Sequence, residues 1–141
     1  MKKFLALILF FTSTGHLAYA SGWSSVGNST YMNSKSILTY YNERHEIVQN
    51  QYSFWTRHFN DGSEYFKIKE KEYNIKISMI HTRYVIDCYN KTIANKTELI
   101  YDEKSRVVKR VNRETDILEF IIIKENTPAN LFYKNICAYT K

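Results

Sequence analysis

The chain has 141 residues, a net charge of +6 and 16% aromatic residues, a composition typical of a folded domain and unlike that of a disordered chain. Its four glycines form no glycine-rich loop, so P-loop and dinucleotide-binding sites are excluded. We expect a single domain at this length.

Residues 1–20 match a secretory signal peptide. Lysines occupy positions 2 and 3, residues 4–11 are apolar, and residues 18–20 (Ala-Tyr-Ala) form a small-x-small cleavage site. The mature domain is then residues 21–141, and loss of the two lysines lowers its net charge from +6 to +4. No cysteine directly follows the cleavage point, where a lipid anchor would be attached, and no later run suits a membrane-spanning helix. We expect an exported protein, periplasmic, secreted or on the cell surface, without a lipid anchor or transmembrane segment.

The first part of the mature chain has the composition of β-strands. Residues 21–36 predict two short strands joined by turns, with a turn at residues 33–36 (Asn-Ser-Lys-Ser). Residues 37–41 and 46–59 are rich in β-branched and aromatic side chains and predict a hairpin. Asn-Asp-Gly-Ser at 60–63 predicts a tight turn of the hairpin kind, because Asp-Gly supports a positive φ.

The pattern is less regular after this turn. Residues 64–72 are strongly charged and leave open a loop, a strand end or a short helical turn. Apolar and polar residues alternate over 73–79 and again over 83–88, which predicts two strands. In the second strand Cys88 shares its parity with Ile86, so we expect it to point toward the core.

The next segments predict three more strands. Residues 97–101 and 107–111 form the arms of a predicted hairpin with residues 102–105 at its tip. Residues 118–123 form a nearly continuous β-branched and aromatic run, which predicts a strand covered on both faces.

The C-terminal segment predicts a helix of about three turns. Thr127 can cap free amides and Pro128 suits the first helical position. An apolar stripe then follows at helical spacing. Its members are Leu131, Phe132, Ile136 and Tyr139.

The only two cysteines are Cys88 and Cys137. In an exported chain this pair predicts a disulfide, and neither cysteine has a nearby Cys or His with which to bind a metal. The bridge would join the C-terminal helix to the strand of Cys88. The predicted fold is α+β and mainly β: a single antiparallel sheet of about six strands with a C-terminal helix packed on it and tethered by the disulfide.

No set of residues has catalytic or metal-binding spacing. His45, His58 and His81 are too far apart in sequence for the usual ligand pairs. Carboxylate pairs such as Glu70 and Glu72 lie in charged segments typical of a solvated surface, and a Gly-x-Ser-x-Gly elbow is absent. We therefore expect no enzymatic activity, no metal and no cofactor.

Basic residues cluster in two places. The first cluster is the candidate binding segment and consists of Lys67, Lys69, Lys71 and Lys76. The second lies on the later hairpin and consists of Lys104, Arg106, Lys109, Arg110 and Arg113. Export favours an acidic protein patch, lipid head groups or a sulfated polysaccharide over nucleic acid. The alternative is that both clusters are solvated edges that keep strands from pairing with other chains.

Several short motifs follow one another in a characteristic order. They are residues 22–26 (Gly-Trp-Ser-Ser-Val), residues 31–37 (Tyr-Met-Asn-Ser-Lys-Ser-Ile), Trp55, Asp87 with Cys88, Tyr101 with Asp102, Thr127 with Pro128, and Cys137. Over essentially the whole mature chain this order resembles the surface-adhesin protein E family. The resemblance implies an antiparallel sheet with a disulfide-tethered C-terminal helix. It also implies scaffold roles for Trp23, Tyr31, Ile37, Cys88 and Cys137.

The same resemblance implies a non-enzymatic protein-binding module that adheres to host matrix or serum proteins, in some members as a homodimer. The sequence departs from the family in lacking a cysteine for lipidation, and an adhesin without an anchor cannot hold a cell. The alternative is a soluble periplasmic inhibitor or immunity protein that blocks an enzyme. A net charge of +4 argues mildly against binding to basic lysozymes.

Overall fold

A computed structural model describes residues 22–138, so the predicted signal peptide and Tyr139 lie outside it. Within this range, seven antiparallel strands form one sheet and two α-helices flank it, which confirms the predicted fold class. The elements in chain order are β1 (Trp23–Gly27), β2 (Thr30–Tyr41), β3 (Ile47–Phe59), α1 (Glu64–Tyr73), β4 (Met79–Asp87), β5 (Thr92–Tyr101), β6 (Val107–Asn112), a 3-10 turn (Thr115–Ile117), β7 (Ile121–Ile122) and α2 (Pro128–Cys137).

Strands β1 to β6 lie side by side in chain order, and β7 pairs with the first residues of β5. Each strand therefore pairs with its neighbour in sequence, which explains why the local hairpin patterns predicted most of the sheet. Neither helix of the described range is long and apolar enough to cross a membrane.

Strand β2 contains a bulge toward β3 where a turn was predicted. Asn28 and Ser29 both adopt a positive φ and form the two-residue turn between β1 and β2. The predicted turn at residues 33–36 is wrong, because β2 continues through this segment and only its register with β3 shifts. Ser36 Oγ accepts the Trp55 amide at 2.8 Å, so a side chain replaces a ladder bond at the bulge.

The segment after Gly62 forms a helix and not the second arm of a hairpin. Gly62 has φ +75, as the Asp-Gly pattern requires, but the turn leads into α1. The choice left open for residues 64–72 is thus settled as a helix of 10 residues. The strand predicted for residues 73–79 is wrong, because α1 extends to Tyr73 and β4 begins only at Met79.

The alternation that suggested a strand there has another cause. Ile77 belongs to a buried cluster with Phe66, Ile80 and Ile100, and Tyr73 and Ile75 pack against it. These side chains enter one apolar cluster from the end of α1 and from the connection to β4. Period-two burial in this segment therefore reflects packing without a strand ladder.

The β5–β6 hairpin is confirmed, but the strand predicted for residues 118–123 is wrong. Only Ile121 and Ile122 pair with β5, and their side chains are 64% and 76% exposed. Ile123 alone is buried, at 3% exposed. The segment lies at the edge of the sheet, where no element of the described range covers its outer side.

The C-terminal helix and the disulfide are both confirmed. Thr127 Oγ1 accepts the Asn130 amide at 3.3 Å and Pro128 occupies the first turn. Phe132 and Ile136 are buried, while Leu131 of the predicted stripe is 42% exposed. Cys88 and Cys137 are bonded, with their Cα atoms 5.5 Å apart, so α2 is tethered to the end of β4.

Strand alternation divides the sheet into two faces. On one face Phe54 of β3 packs against Phe132 of α2, with ring centres 5.2 Å apart, and Ile80 and Ile100 pack against Phe66 of α1. Both helices therefore lie on this side, which we call the helix-covered face. The other side, the opposite face, carries residues of the other parity, including Arg57 and His81.

Candidate functional site

The basic segment predicted from sequence is spread over α1 and the connection after it. Lys67 and Lys71 are exposed and four residues apart, so they lie on one side of the helix. Lys69 points the other way and lies 3.5 Å from the buried Glu98 carboxylate. Lys76 follows the helix and contacts Glu70 at 3.3 Å. The four lysines thus do not form one continuous surface.

The second basic cluster is also divided. Arg106 binds Asp102 at 2.6 Å at the tip of the β5–β6 hairpin. Lys109 lies 5.5 Å from the Tyr73 ring of α1, and Arg110 is the register partner of Leu99 on the opposite face. Arg113 turns back to Glu98 on the helix-covered face. Although these residues are close in sequence, they lie at different places in the fold and do not form one basic surface.

A groove of about 950 Å³ runs along the helix-covered face between α1 and α2. Its floor includes a row of threonines from neighbouring strands, among them Thr56 and Thr82, which are directly paired. Tyr65 and Lys69 of α1 line one side, and Phe132 of α2 lines the other. The volume falls in the range of small-molecule sites.

Glu98 is the central charged group of this groove and is only 2% exposed. Its Oε2 lies 3.5 Å from Lys69 Nζ and 3.4 Å from Arg113, and its Oε1 accepts the Tyr65 hydroxyl at 3.3 Å. Arg113 also donates to Asn95 at 3.0 Å. The two cations compensate the buried carboxylate, which would otherwise be strongly destabilising.

The two tyrosines beside Glu98 are held in their neutral form. Burial, and then the Glu98 carboxylate, raise the pKa of Tyr84 to about 12. The same two causes, in the same order, raise the pKa of Tyr65. Both hydroxyls therefore remain protonated at physiological pH, and that of Tyr65 donates to Glu98.

The opposite face carries a different arrangement, which we call the aromatic–arginine patch. Its members are Trp23, Tyr31, Arg57, Phe59, His81 and Tyr101. The Arg57 guanidinium carbon lies 4.2 Å from the centre of the Trp23 ring. Tyr31 and Phe59 meet edge to face at 5.8 Å and are 36% and 41% exposed. Aromatic and arginine side chains are the types most enriched at protein interfaces.

Arg57 also controls the charge of this patch. Its Nε donates to His81 Nε2 at 3.0 Å, and the His81 ring lies 4.8 Å from that of Tyr101. Burial, and then the Arg57 charge, lower the pKa of His81 to about 4. His81 is therefore neutral at physiological pH, and Arg57 supplies the positive charge.

The three histidines of the predicted mature chain occupy separate places. His45 lies in the β2–β3 turn, His58 on the helix-covered face and His81 on the opposite face. Among residues 22–138 no three His, Cys, Asp or Glu side chains are grouped as metal ligands. Of the carboxylates considered from sequence, Glu70 accepts the Ile77 amide at 3.0 Å and so fixes the connection after α1.

Sequence reasoning missed both the groove and the patch as sites. A glutamate within strand β5, beside Leu99 and Ile100, was a signal for the groove, since a charge buried in a sheet needs partners. Trp23 and Tyr31 were expected only as scaffold residues. Their meeting with Arg57 and Phe59 depends on strand register, which the sequence did not reveal.

The fold resembles solved structures of protein E from Haemophilus influenzae. The alignment with one crystal form spans 86% of this chain and 91% of the protein E chain, with a TM-score of 0.57 and 18% identity. The alignment with another structure of the same protein spans 84% of this chain and 86% of the protein E chain, with a TM-score of 0.55 and 19% identity. No protein-family model and no curated protein sequence matches the chain. At this level of identity the likeness establishes architecture alone: the chain has the fold of Haemophilus influenzae protein E.

Proposed function

We propose that this chain is an exported, non-enzymatic protein-binding module that docks an acidic partner on its aromatic–arginine patch. The observation that carries this proposal is the Arg57–Trp23 stack on a sheet face without helices, beside the exposed Tyr31 and Phe59. Flat aromatic rings with an ordered guanidinium bind a partner at low cost in side-chain entropy.

The charge of the face supports an acidic partner. Besides Arg57, the same parity brings Arg83 of β4 and Arg110 of β6 to the opposite face. On the strands of the opposite face the positive charge is opposed by Asp87. This carboxylate lies at the far end of β4, where Asn90 and Gln51 donate hydrogen bonds to it. Complementary charge accelerates association and selects among partners.

The lysines of the predicted binding segment have a secondary part in this proposal. Lys67 and Lys71 are exposed on α1, away from the patch, and contribute long-range attraction to an acidic partner. Lys69 and Lys76 bind carboxylates of this chain and contribute less. Host matrix and serum proteins are the partner class implied by the resemblance to the surface-adhesin family.

The proposal is tested by binding of the purified, disulfide-bonded protein to a panel of host matrix and serum proteins in surface plasmon resonance. The double variant Tyr31→Ala, Phe59→Ala should weaken binding at least tenfold, since such side chains act as hot spots. The matched control is Tyr41→Ala, Ile47→Ala, an exposed cross-strand pair outside the patch, which should bind normally. Equal binding by all three proteins would exclude the patch as the interface.

A second experiment distinguishes the adhesin from the enzyme-blocking alternative. Protease added to intact cells should degrade the protein if it is displayed at the surface. Release by osmotic shock in intact form, together with inhibition of a lysozyme or a toxin enzyme, would favour the inhibitor or immunity protein. Light scattering on the purified protein tests the homodimer that the resemblance implies for some members.

A further inference from the structure

The groove between α1 and α2 has a polar end and an apolar end. Lys69, Arg113, Tyr65 and Glu98 form the polar end, and the apolar lining includes Ile93 and Phe132. A concave space with apolar walls and a few convergent polar groups is the usual form of a small-molecule site. The proposed protein interface lies on the other face of the sheet and does not use this groove.

The polar end carries more positive than negative charge. Lys69 and Arg113 both face the single carboxylate of Glu98. Their distances to it, 3.5 and 3.4 Å, exceed the 2.7–2.9 Å of a tight charge-assisted hydrogen bond. The side chains of Lys69 and Arg113 are 17% and 33% exposed, so their remaining donors are accessible from the groove.

A third polar group of the groove is incompletely bonded. His58 lines the groove, and its Nε2 atom is buried without a hydrogen-bond partner among residues 22–138. The Asp61 carboxylate lies 3.6 Å away, beyond hydrogen-bond distance. Because this nitrogen is fully buried, it is not itself a contact for a molecule in the groove.

The rim of the apolar part of the groove carries large aliphatic side chains that are exposed to solvent. Ile117 and Ile121 line it and are 60% and 64% exposed. Glu119 also lines the groove but is exposed, on the same edge segment. Large aliphatic side chains grouped at the rim of a concave site mark a surface that a ligand covers.

We propose that this groove binds an aliphatic carboxylate, with its carboxylate group at Lys69 and Arg113 and its hydrocarbon chain along Ile93, Phe132 and Ile121. A carboxylate accepts hydrogen bonds from both cations and balances the excess charge around Glu98. The hydrocarbon removes the exposed apolar side chains of the rim from water. The threonine hydroxyls of the floor accommodate bound water beside the head group.

The test uses calorimetric titration of the delipidated, disulfide-bonded protein with three probes: dodecanoate, dodecanol and dodecyltrimethylammonium. The two ionic probes are kept below their micelle concentrations and dodecanol below its solubility limit. Dodecanoate should bind at one molecule per chain. The uncharged and cationic probes should bind about tenfold more weakly or worse, because each lacks the charge-assisted hydrogen bonds. Lack of saturable dodecanoate binding would overturn the proposal, and equal binding of the cationic probe would overturn the role of the two cations.

Paired variants locate the site. Ile121→Ser should weaken dodecanoate binding several-fold, whereas Ile122→Ser, at a neighbouring and somewhat more exposed residue outside the groove, should not. Lys69→Gln should weaken binding about tenfold and Lys67→Gln should leave it unchanged. If the members of each pair behave alike, the groove is not the site. Tighter binding of a peptide with an apolar C-terminus than of dodecanoate would overturn the aliphatic ligand.

Discussion

The guanidinium of Arg57 lies over the indole of Trp23, with 4.2 Å between the guanidinium carbon and the ring centre. Trp23 belongs to the edge strand β1, which pairs only with β2 in the described sheet, whereas Arg57 belongs to β3. The stack therefore joins the edge strand to the second strand along. It both secures the edge of the sheet and builds the proposed binding patch.

Acid should destabilise the protein through His81. Burial, and then the Arg57 charge, lower the pKa of His81 from 6.5 to about 4 in the folded protein. Between these values the unfolded chain binds more protons, so the free energy of unfolding falls as the pH decreases through this window. The contribution is complete above about pH 6.5, and about 1–2 kcal/mol should be lost by pH 4, a figure reduced for partial exposure.

Urea unfolding at several pH values between 7 and 4 measures this loss. His81→Gln is the comparison, because carboxylates titrate in both proteins and their contributions cancel in the difference. The variant should show a shallower dependence on pH than the wild-type chain. Identical dependence in the two proteins would show that His81 is not shifted.

Loss of the Cys88–Cys137 bridge should lower the free energy of unfolding by about 2–5 kcal/mol. The bridge closes a loop with a sequence separation of 49 and holds α2 against β4. Thermal unfolding of Cys88→Ala, Cys137→Ala measures the effect, with the wild-type chain in reductant as a second sample. A melting temperature unchanged in both samples would contradict the prediction.

Neighbouring isoleucines at the sheet edge should differ greatly in their contribution to stability. Ile123 is 3% exposed and packs in the main core cluster, so Ile123→Ala should cost about 2–4 kcal/mol. Ile122 is 76% exposed, so Ile122→Ala should cost less than about 0.5 kcal/mol. Urea unfolding of the two variants compares them directly, and similar losses would support the covered strand predicted from sequence.

Lys96 should be more important than other lysines because it joins three segments. It is 8% exposed, and its Nζ donates to Glu43 at 2.9 Å and to the Arg113 carbonyl. The Thr115 amide also donates to Glu43 at 2.7 Å. The Thr115 side chain, and then the Lys96 side chain, lower the pKa of Glu43 to about 2 by hydrogen bonding to its carboxylate.

Lys96→Met should therefore lower the free energy of unfolding by about 1–3 kcal/mol and raise the pKa of Glu43. Denaturant unfolding and NMR titration of the Glu43 carboxyl measure the two effects. Lys104→Met, at the exposed hairpin tip, is the control and should change neither. A loss of the same size in the control would indicate a general charge effect.

Much of the architecture could be read from the sequence because the sheet is built from local hairpins. Alternation identified β3 and the second half of β4, and the charged tip between the two runs identified the β5–β6 hairpin. Thr127 and Pro128 marked the start of α2 by capping chemistry that acts within one helical turn. The disulfide followed from the number of cysteines and the predicted export.

The sequence-based predictions failed where apolar residues are not part of a paired and covered strand. Residues 73–79 alternate because they enter the cluster of Phe66 from two directions, and residues 118–123 are apolar although most of them are exposed at an edge. Hydropathy indicates only that a side chain tends to avoid water. It does not indicate whether the segment pairs with another strand or which element covers it.

By itself the sequence determined the class of fold, the tethered C-terminal helix and the basic charge of the chain. The tertiary structure alone decided which charges act together: it separated Lys67 from Lys69, brought Lys69 and Arg113 to Glu98, and set Arg57 on Trp23. The physical reason is that a sheet joins residues by register across strands. Register depends on bulges such as those of β2 and β5. A bulge changes which residues are paired along the rest of the strand, far from the bulged residues themselves.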